Sequence, residues 1–217
     1  MAALEDVIAV YHLPYDASIP TLCLDEYGFA LTADTREPLP ARPGDVAKQD
    51  YEYRPEGSCN LFGVFEPHTG FRLITVTERR TKREFAHVVK TLLTEHFPDA
   101  VRVRLVLDNL NIHTPGAFYE TFPAEEARAL VERIEWHFTP KHASWLNMQE
   151  VEWAVLRRQT LWRQRLASCD QVQHEASAWA RERVERRNRI DWRFTIADAR
   201  RKMRHCYPFP SSCPDTA

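Results

Sequence analysis

Three acidic residues stand where a carboxylate could bind a metal ion. Asp108 ends the apolar run of residues 101–107, Asp25 lies inside a second apolar run, TLCLDEYGFAL, and Glu150 follows Trp-Leu-Asn near the start of a helical pattern. Carboxylate oxygens are the ligands that hard divalent cations such as Mg²⁺ prefer. One such acid is weak evidence, but three acids at element ends or within an apolar strand together suggest a metal site.

Each acid also has a purely structural interpretation. The dipeptide Asp108-Asn109 is a common way for a chain to leave a strand. Asp25 is the only charge on its face of the predicted strand, so its burial requires a partner, either a cation or an arginine. Asn147 and Glu150 have the spacing of a capping box, which would satisfy amide groups at a helix start. From the residues alone, both interpretations stay open.

The acids must be positioned by a sheet and a helix. Val101, Val103, Leu105 and Leu107 alternate at period two and residues 105–107 are unbroken in hydrophobicity, which indicates a central strand buried on both faces. Asp108 then lies at the carboxyl end of that strand, where open α/β sheets place their ligands. The remaining pattern predicts helices over 1–16, 81–97, 118–131, 147–166, 168–188 and 195–207, strands over 21–31, 60–66, 71–77 and 134–138, and an irregular excursion over 34–57.

Composition narrows the class of protein. With 217 residues, 44% of them hydrophobic and 28% charged, the chain fits one α/β domain. It has no apolar run near the roughly 20 residues of a membrane span, so we expect no membrane association. The N-terminus lacks the features of a signal peptide, which favours a cytoplasmic location. The five cysteines include no Cys-x-x-Cys pair, which argues against a disulfide framework and a structural zinc.

Charge is unevenly distributed along the chain. The formal net charge is only −2, but residues 157–204, here called the Arg-rich segment, hold 14 Arg or Lys against 6 Asp or Glu. A basic segment behind metal-binding carboxylates suits a polyanion. The alternative is an ordinary solvated helix face.

The motifs around the acids resemble a known family. The stretches CLDEYG, LVLDNLNIHTP and FTPKHASWLNMQEVEW are similar to the catalytic core of DDE transposases of the mariner superfamily, in particular the bacterial insertion sequence 630 group. The resemblance runs from about residue 21 to 207, and EPLPARPG, DYEY and VTERRTKREFAH share it. It implies an α/β, ribonuclease H-like fold, with a mixed sheet of three antiparallel plus parallel strands flanked by helices, and a C-terminal Arg-rich helical segment. We expect a connector over 1–20, the catalytic domain over 21–207 and a tail over 208–217.

The resemblance also assigns residues. Asp25, Asp108 and Glu150 become the first, second and third catalytic acids and the ligands of Mg²⁺, for which Mn²⁺ substitutes. In the family's Leu-Asn-Pro-x-Glu block Met148 replaces Pro, which should weaken the helix start without removing a ligand. Glu152 is the alternative third acid, but we expect it to point toward solvent or the Arg-rich segment.

Four further residues are candidates for contacts to the DNA backbone: Lys141, His142, Arg157 and Arg158. His113 is as readily a hydrogen-bonded loop histidine as a phosphate contact. Because clustered carboxylates repel, at least one of the three acids should have a raised pKa without metal, and Asp108→Ala should relieve that repulsion and leave the fold intact.

The function implied is cleavage and joining of DNA strands at transposon ends. The partners implied are double-stranded DNA, both transposon ends and a TA target, and a second copy of the chain in a homodimer on DNA. Members of the group carry helix-turn-helix domains ahead of the core, so we expect a separate N-terminal half, and a bacterial, nucleoid-associated location. Two alternatives are a ribonuclease H-like nuclease that does not join strands and a decayed or domesticated fragment that only binds DNA or another partner.

Overall fold

The computed structural model describes residues 1–37, 39–46 and 50–207, so the predicted tail lies outside the described residues, as does part of the EPLPARPG stretch. Within these described ranges the chain forms five strands and seven α-helices. They are α1 (Ala2–Tyr11), β1 (Thr21–Asp34), β2 (Tyr53–Phe65), β3 (Arg72–Thr77), α2 (Lys82–Thr91), β4 (Val103–Leu107), α3 (Pro115–Thr121), α4 (Ala124–Val131), β5 (Ile134–Phe138), α5 (Met148–Leu156), α6 (Cys169–Glu185) and α7 (Ile196–Lys202). π-Helical turns follow α2 and α5, over Leu92–His96 and Arg157–Leu161.

The five strands form one mixed sheet in the order β3-β2-β1-β4-β5. β1 pairs antiparallel with β2, and β2 with β3, whereas β1 with β4 and β4 with β5 are parallel. The predicted succession of three antiparallel strands followed by parallel strands is therefore confirmed. β1 lies at the centre of the sheet, and β4, with Val103 and residues 105–107 fully buried, is an inner strand as its sequence predicted.

Helices cover both faces of the sheet. Because successive side chains of a strand point to opposite faces, Leu22 and Leu24 of β1 pack against α2, α3 and α4, whereas Cys23 packs on the other face with α1. α5 and α6 cover the rest of that second face, against β2 and β3. Asp25, two residues after Cys23, therefore projects from the second face.

α1 belongs to the second face of the core. It buries Leu4, Val7 and Ile8 completely or nearly so, and the Tyr11 hydroxyl donates to the carbonyl oxygen of Leu146, just before α5, at 2.6 Å. Residues 1–20, predicted as a connector, thus contain a helix that packs under the sheet. The division of the chain into domains stays a prediction.

Several element boundaries differ from the prediction; α1, α2 and α7, for example, end at Tyr11, Thr91 and Lys202. β1 and β2 extend as a hairpin to Asp34 and from Tyr53, so the irregular excursion is shorter than residues 34–57. The helix predicted over 118–131 is two helices, because Pro123 has no amide hydrogen and holds Phe122 in an extended conformation (φ −121°, ψ 161°). The helix predicted over 147–166 ends its α-helical part at Leu156.

Across the described ranges, no helix has the length and apolar character needed to cross a bilayer.

Candidate active site

Asp25 lies in the middle of the sheet. Its strand partner across the β1–β2 pair is Gly63, and its side chain is largely buried on the face covered by α5. Burial, followed in order by the negative charges of Glu150, Glu26 and Asp108, raises the pKa of Asp25 to about 8. The expected raised pKa of one acid is therefore confirmed at Asp25. Glu150 and Asp108 both act on it electrostatically.

Gly63 lets helix α5 approach Asp25. A β-carbon at Gly63 would lie 2.3 Å from Nε2 of Gln149 and 2.5 Å from the indole ring of Trp153, distances that real side chains do not show. Since residues paired across an antiparallel ladder point to the same face, the space that Gly63 leaves open is beside the Asp25 carboxylate. The glycine thus sets α5 directly against the strand that carries the first acid.

Asn147 fixes the start of α5 on the sheet. Its Nδ2 donates to the carbonyl oxygen of Leu24 at 2.7 Å, and its Oδ1 accepts from the amide of Gln149 at 3.1 Å. One side chain therefore links the residue before Asp25 to the first turn of the helix that carries Glu150. The capping-box alternative is only half realised: in the described part of the chain the Glu150 side chain accepts no hydrogen bond from the Asn147 amide, although the Glu150 amide donates to the Asn147 carbonyl oxygen at 3.1 Å. Met148 in place of Pro leaves this helix start intact.

Asp108 follows β4 and is held by a buried histidine. Its Oδ1 accepts from the amide of Leu110 at 3.0 Å and lies 2.9 Å from Nδ1 of His113, which also lies 3.1 Å from the Asp108 carbonyl oxygen. Nε2 of His113 lies 2.8 Å from Oε1 of Glu26. The side chains of His113 and Glu26 are 0% and 2% exposed.

These contacts determine the protonation of the pair. The hydrogen bond from His113 lowers the pKa of Asp108, with burial opposing it. Burial alone would lower the pKa of His113, but its hydrogen bonds to Asp108 and Glu26 outweigh this and raise it to about 9. The histidine is therefore an imidazolium at neutral pH that donates from both nitrogens. Asp108→Ala would relieve the repulsion that Asp108 exerts on Asp25, but it would also leave Nδ1 of His113 without the carboxylate, so the expectation that the fold stays intact remains a prediction.

Sequence reasoning gave His113 no role. The signal that could have found it is the pair of an acid next to Asp25 and a histidine five residues after Asp108. Only the register of β1 against β4, in which Cys23 is level with Val106, brings Glu26 and His113 together.

Glu152 is excluded as a ligand by its partners. It is 1% exposed and its carboxylate accepts from Arg72 Nε at 2.6 Å and from Arg183 Nη2 at 3.2 Å. The expectation that it points toward the Arg-rich segment is confirmed, since Arg183 belongs to that segment, but the alternative of solvent is wrong. Among the described residues, the Glu150 carboxylate has no hydrogen-bond or ion-pair partner.

The four candidate DNA contacts have different surroundings. Lys141 and His142 are exposed in the turn after β5, and His142 has a positive φ of 62°. Arg158 is exposed, whereas Arg157 is half-buried and its guanidinium lies 5.2 Å from the ring of Tyr27 and 4.2 Å from that of Trp162. A role in binding DNA stays a prediction for all four.

The carboxylates suit a divalent cation in donor chemistry. Asp25, Asp108 and Glu150 offer hard oxygen ligands, and the raised pKa of Asp25 means that a positive charge beside it would be stabilising. Within residues 1–37, 39–46 and 50–207, however, no three His, Cys, Asp or Glu side chains are gathered closely enough to hold an ion as they stand. Convergence of the three acids on a metal stays a prediction.

Two comparisons bear on this site. The sequence model of the DDE superfamily endonucleases matches residues 20–173, which is more than half of the chain and includes all three acids. Among solved structures, the crystal structure of the Mos1 mariner paired-end complex with Mn superposes with a TM-score of 0.53 at 15% identity, over 85% of this chain and 56% of that chain. A search of curated proteins found no match.

The structural match is to the fold alone. The mixed five-stranded sheet flanked by helices is the ribonuclease H-like fold of that transposase, as the sequence predicted, and this chain spans about half of its length. The sequence match shows more, because it extends through β1, β4 and α5 and their acids. The chain belongs to the family of DDE superfamily endonucleases.

Proposed function

We propose that this chain is the catalytic domain of a DNA transposase, which cleaves and joins DNA strands at transposon ends with the help of a divalent metal. The observation that carries the proposal is that the sequence match to the DDE superfamily endonucleases covers Asp25, Asp108 and Glu150, which lie on the central strand, after its parallel neighbour and on the helix packed against the central strand. The negative charges of Glu150 and Asp108 both act on the carboxylate of Asp25. Such an arrangement has no structural benefit of its own, since like charges destabilise one another.

Each acid has a stated part in the proposal. Asp25, Asp108 and Glu150 would hold the metal, Mg²⁺ or Mn²⁺. The metal would supply a nucleophile at neutral pH and stabilise the charge of the attacking and leaving oxygens of a phosphodiester. The chain's own residues set the geometry: Gly63 admits α5, Asn147 fixes its first turn, and the burial around Asp25 excludes water from one side.

The Arg-rich segment supplies the surface for DNA. In the structure six of its 14 cations form ion pairs with described acids: Arg165, Arg183, Arg186, Arg193, Arg200 and Arg201. The others, apart from the stacked Arg157, include exposed side chains at the surface of α6 and α7 that suit backbone phosphates. Lys141 and His142 would add contacts near the start of α5.

The finer assignments are part of the same proposal. The motifs around the acids favour the insertion sequence 630 group, and with it transposon ends and a TA target as substrates and a homodimer on DNA as the active form. Base reading would come from a separate helix-turn-helix half, and the site of action would be the bacterial nucleoid in the cytoplasm.

The test is an assay that separates cutting from joining. The purified chain is incubated with Mn²⁺, a supercoiled plasmid and a labelled duplex that ends in a free 3′-hydroxyl. A transposase yields plasmid joined to the label, a nuclease of this fold yields nicked plasmid only, and a fragment that merely binds DNA yields neither. Asp108→Asn should abolish both products, whereas the exposed Asp99→Asn serves as the matched control. Joining that persists in Asp108→Asn would refute the assignment of the site.

A further inference from the structure

His113 joins two acids that have different tasks. Glu26 lies on β1 next to Asp25 but projects from the opposite face, and Oε1 of Glu26 is 2.8 Å from Nε2 of His113. The ring of Phe85, with a centroid 4.8 Å from that of His113, packs beside it. The imidazole is fully buried, and two of the groups that hold it, Glu26 and Phe85, lie outside the carboxylate site.

The buried histidine constrains one of the two carboxylate oxygens of Asp108, namely Oδ1. Oδ1 accepts from the Leu110 amide at 3.0 Å and faces His113 Nδ1 at 2.9 Å, so its hydrogen-bonding capacity is used within the protein. Oδ2 accepts no hydrogen bond from the described residues, and the Asp108 side chain is 44% exposed. The two oxygens of this carboxylate are therefore not equivalent.

We propose that His113 is a positioning residue of the active site: held by Glu26, it fixes Asp108 through Nδ1, which lies 2.9 Å from Oδ1 and 3.1 Å from the Asp108 carbonyl oxygen, and leaves Oδ2 as the oxygen that binds the divalent cation. This inference rests on the proposed function, since it needs a cation at Asp108. Groups that orient metal ligands through hydrogen bonds contribute roughly ten- to hundredfold to metal affinity. The chain thus needs Glu26 and His113 for the site although neither contacts the metal.

Two amide substitutions separate the two contacts of the imidazole. In His113→Asn the side-chain N–H takes the place of Nδ1 and can still donate to Asp108, whereas in His113→Gln it takes the place of Nε2 and can reach only Glu26. Both variants lose the aromatic packing on Phe85. A purely structural role therefore predicts that they behave alike.

The measurement is Mn²⁺ affinity by titration calorimetry of the full chain, below the melting temperature of each variant. We expect His113→Asn to stay within about threefold of wild type and His113→Gln to bind about ten- to hundredfold more weakly. Equal affinities of the two variants would overturn the inference. If wild type itself binds no Mn²⁺, the proposed function fails, so the two failures are distinguishable.

A second measurement needs no variant and covers the case in which both fail to fold. In a crystal structure of the wild-type chain with Mn²⁺, the ion located by its anomalous signal should be coordinated by Oδ2 of Asp108, with Nδ1 of His113 still within hydrogen-bond distance of Oδ1. A bidentate Asp108, or a His113 turned away from it, would contradict the proposal.

Discussion

Asp25→Asn should make the metal-free protein more stable. The carboxyl group of Asp25 is buried beside the negative charges of Glu150, Glu26 and Asp108, and its pKa is raised from 3.8 to about 8. At neutral pH the folded protein must therefore either bury a charge or take up a proton, and both cost free energy. An asparagine of nearly the same shape carries no charge and avoids that cost.

The magnitude follows from the difference between the two pKa values. Because the folded state binds the proton more tightly, stability falls as pH rises from about 4 to about 8, at ~1.4 kcal/mol per pH unit. At pH 7 the interval above the unfolded value of 3.8 corresponds to a cost on the order of 4 kcal/mol. Asp25→Asn should remove this cost and the pH dependence that comes with it.

The window between pH 5 and 6.5 isolates Asp25. His113 also has a raised pKa, about 9, but below its ordinary value of 6.5 it is protonated in both the folded and the unfolded state. Carboxyl groups with lowered pKa, such as Asp108, are ionised in both states above pH 5. Within this window the wild-type free energy of unfolding should fall by about 2 kcal/mol, and that of Asp25→Asn should stay level.

Guanidinium chloride unfolding in the presence of a chelator measures these free energies. The exposed Asp99→Asn is the control, and its curve should follow wild type at every pH. Addition of Mn²⁺ should then stabilise wild type and the control but not Asp25→Asn. A wild-type stability that is constant from pH 5 to 6.5, or an Asp25→Asn variant less stable than wild type at pH 7, would refute the reasoning.

Four further outcomes are expected. Gly63→Ala should destabilise the fold by about 1–3 kcal/mol in denaturant unfolding and abolish the Mn²⁺ response, because its methyl group displaces α5; a variant with normal Mn²⁺ affinity would contradict this. Glu152→Gln should cost about 3–5 kcal/mol, since it leaves the 2% exposed side chain of Arg72 buried without its counter-ion. Stability due to His113 should be fully present below pH 6.5 and lost as pH rises through about 9, which His113→Asn should abolish in chelator. Binding to duplex DNA should fall with salt at a log–log slope of about −4 to −7, equal for end and random sequences, and a tenfold preference for ends in gel shifts would show that the chain reads bases.

The order of strands could be predicted because each strand carries its own pattern. The unbroken apolar residues of β4 and the alternation in β1 are local signals, and the turn Asp108-Asn109 marks where the first of them ends. The extension of β1 to Asp34 could not be predicted, since its partners there, residues 53–55, come from a stretch rich in charges and proline. In this part of β1, hydrogen bonding to the neighbouring strand forms a strand where the local composition predicts a loop.

The acids of the site could be named from the sequence, but the residues that hold them could not. Gly63 is one of six glycines, and only the approach of α5 distinguishes it. Val151 is an apolar residue of α5, yet it is 47% exposed, because Gln149 and Trp153 take the contacts that Gly63 opens. The approach of α5 to Gly63 and the exposure of Val151 result from tertiary packing, which leaves no periodic pattern in a single sequence.

Because the Asn147 side chain forms two hydrogen bonds, the position of Glu150 does not depend on the length of the turn that precedes it. Asn147 joins the backbone of β1 at Leu24 to the first amides of α5, so Glu150 stands three residues beyond a fixed point. Residues added to or removed from the exposed turn around Lys141 would change the spacing between Asp108 and Glu150 without shifting the third acid. Insertions in this turn are therefore compatible with an unchanged position of Glu150 against β1.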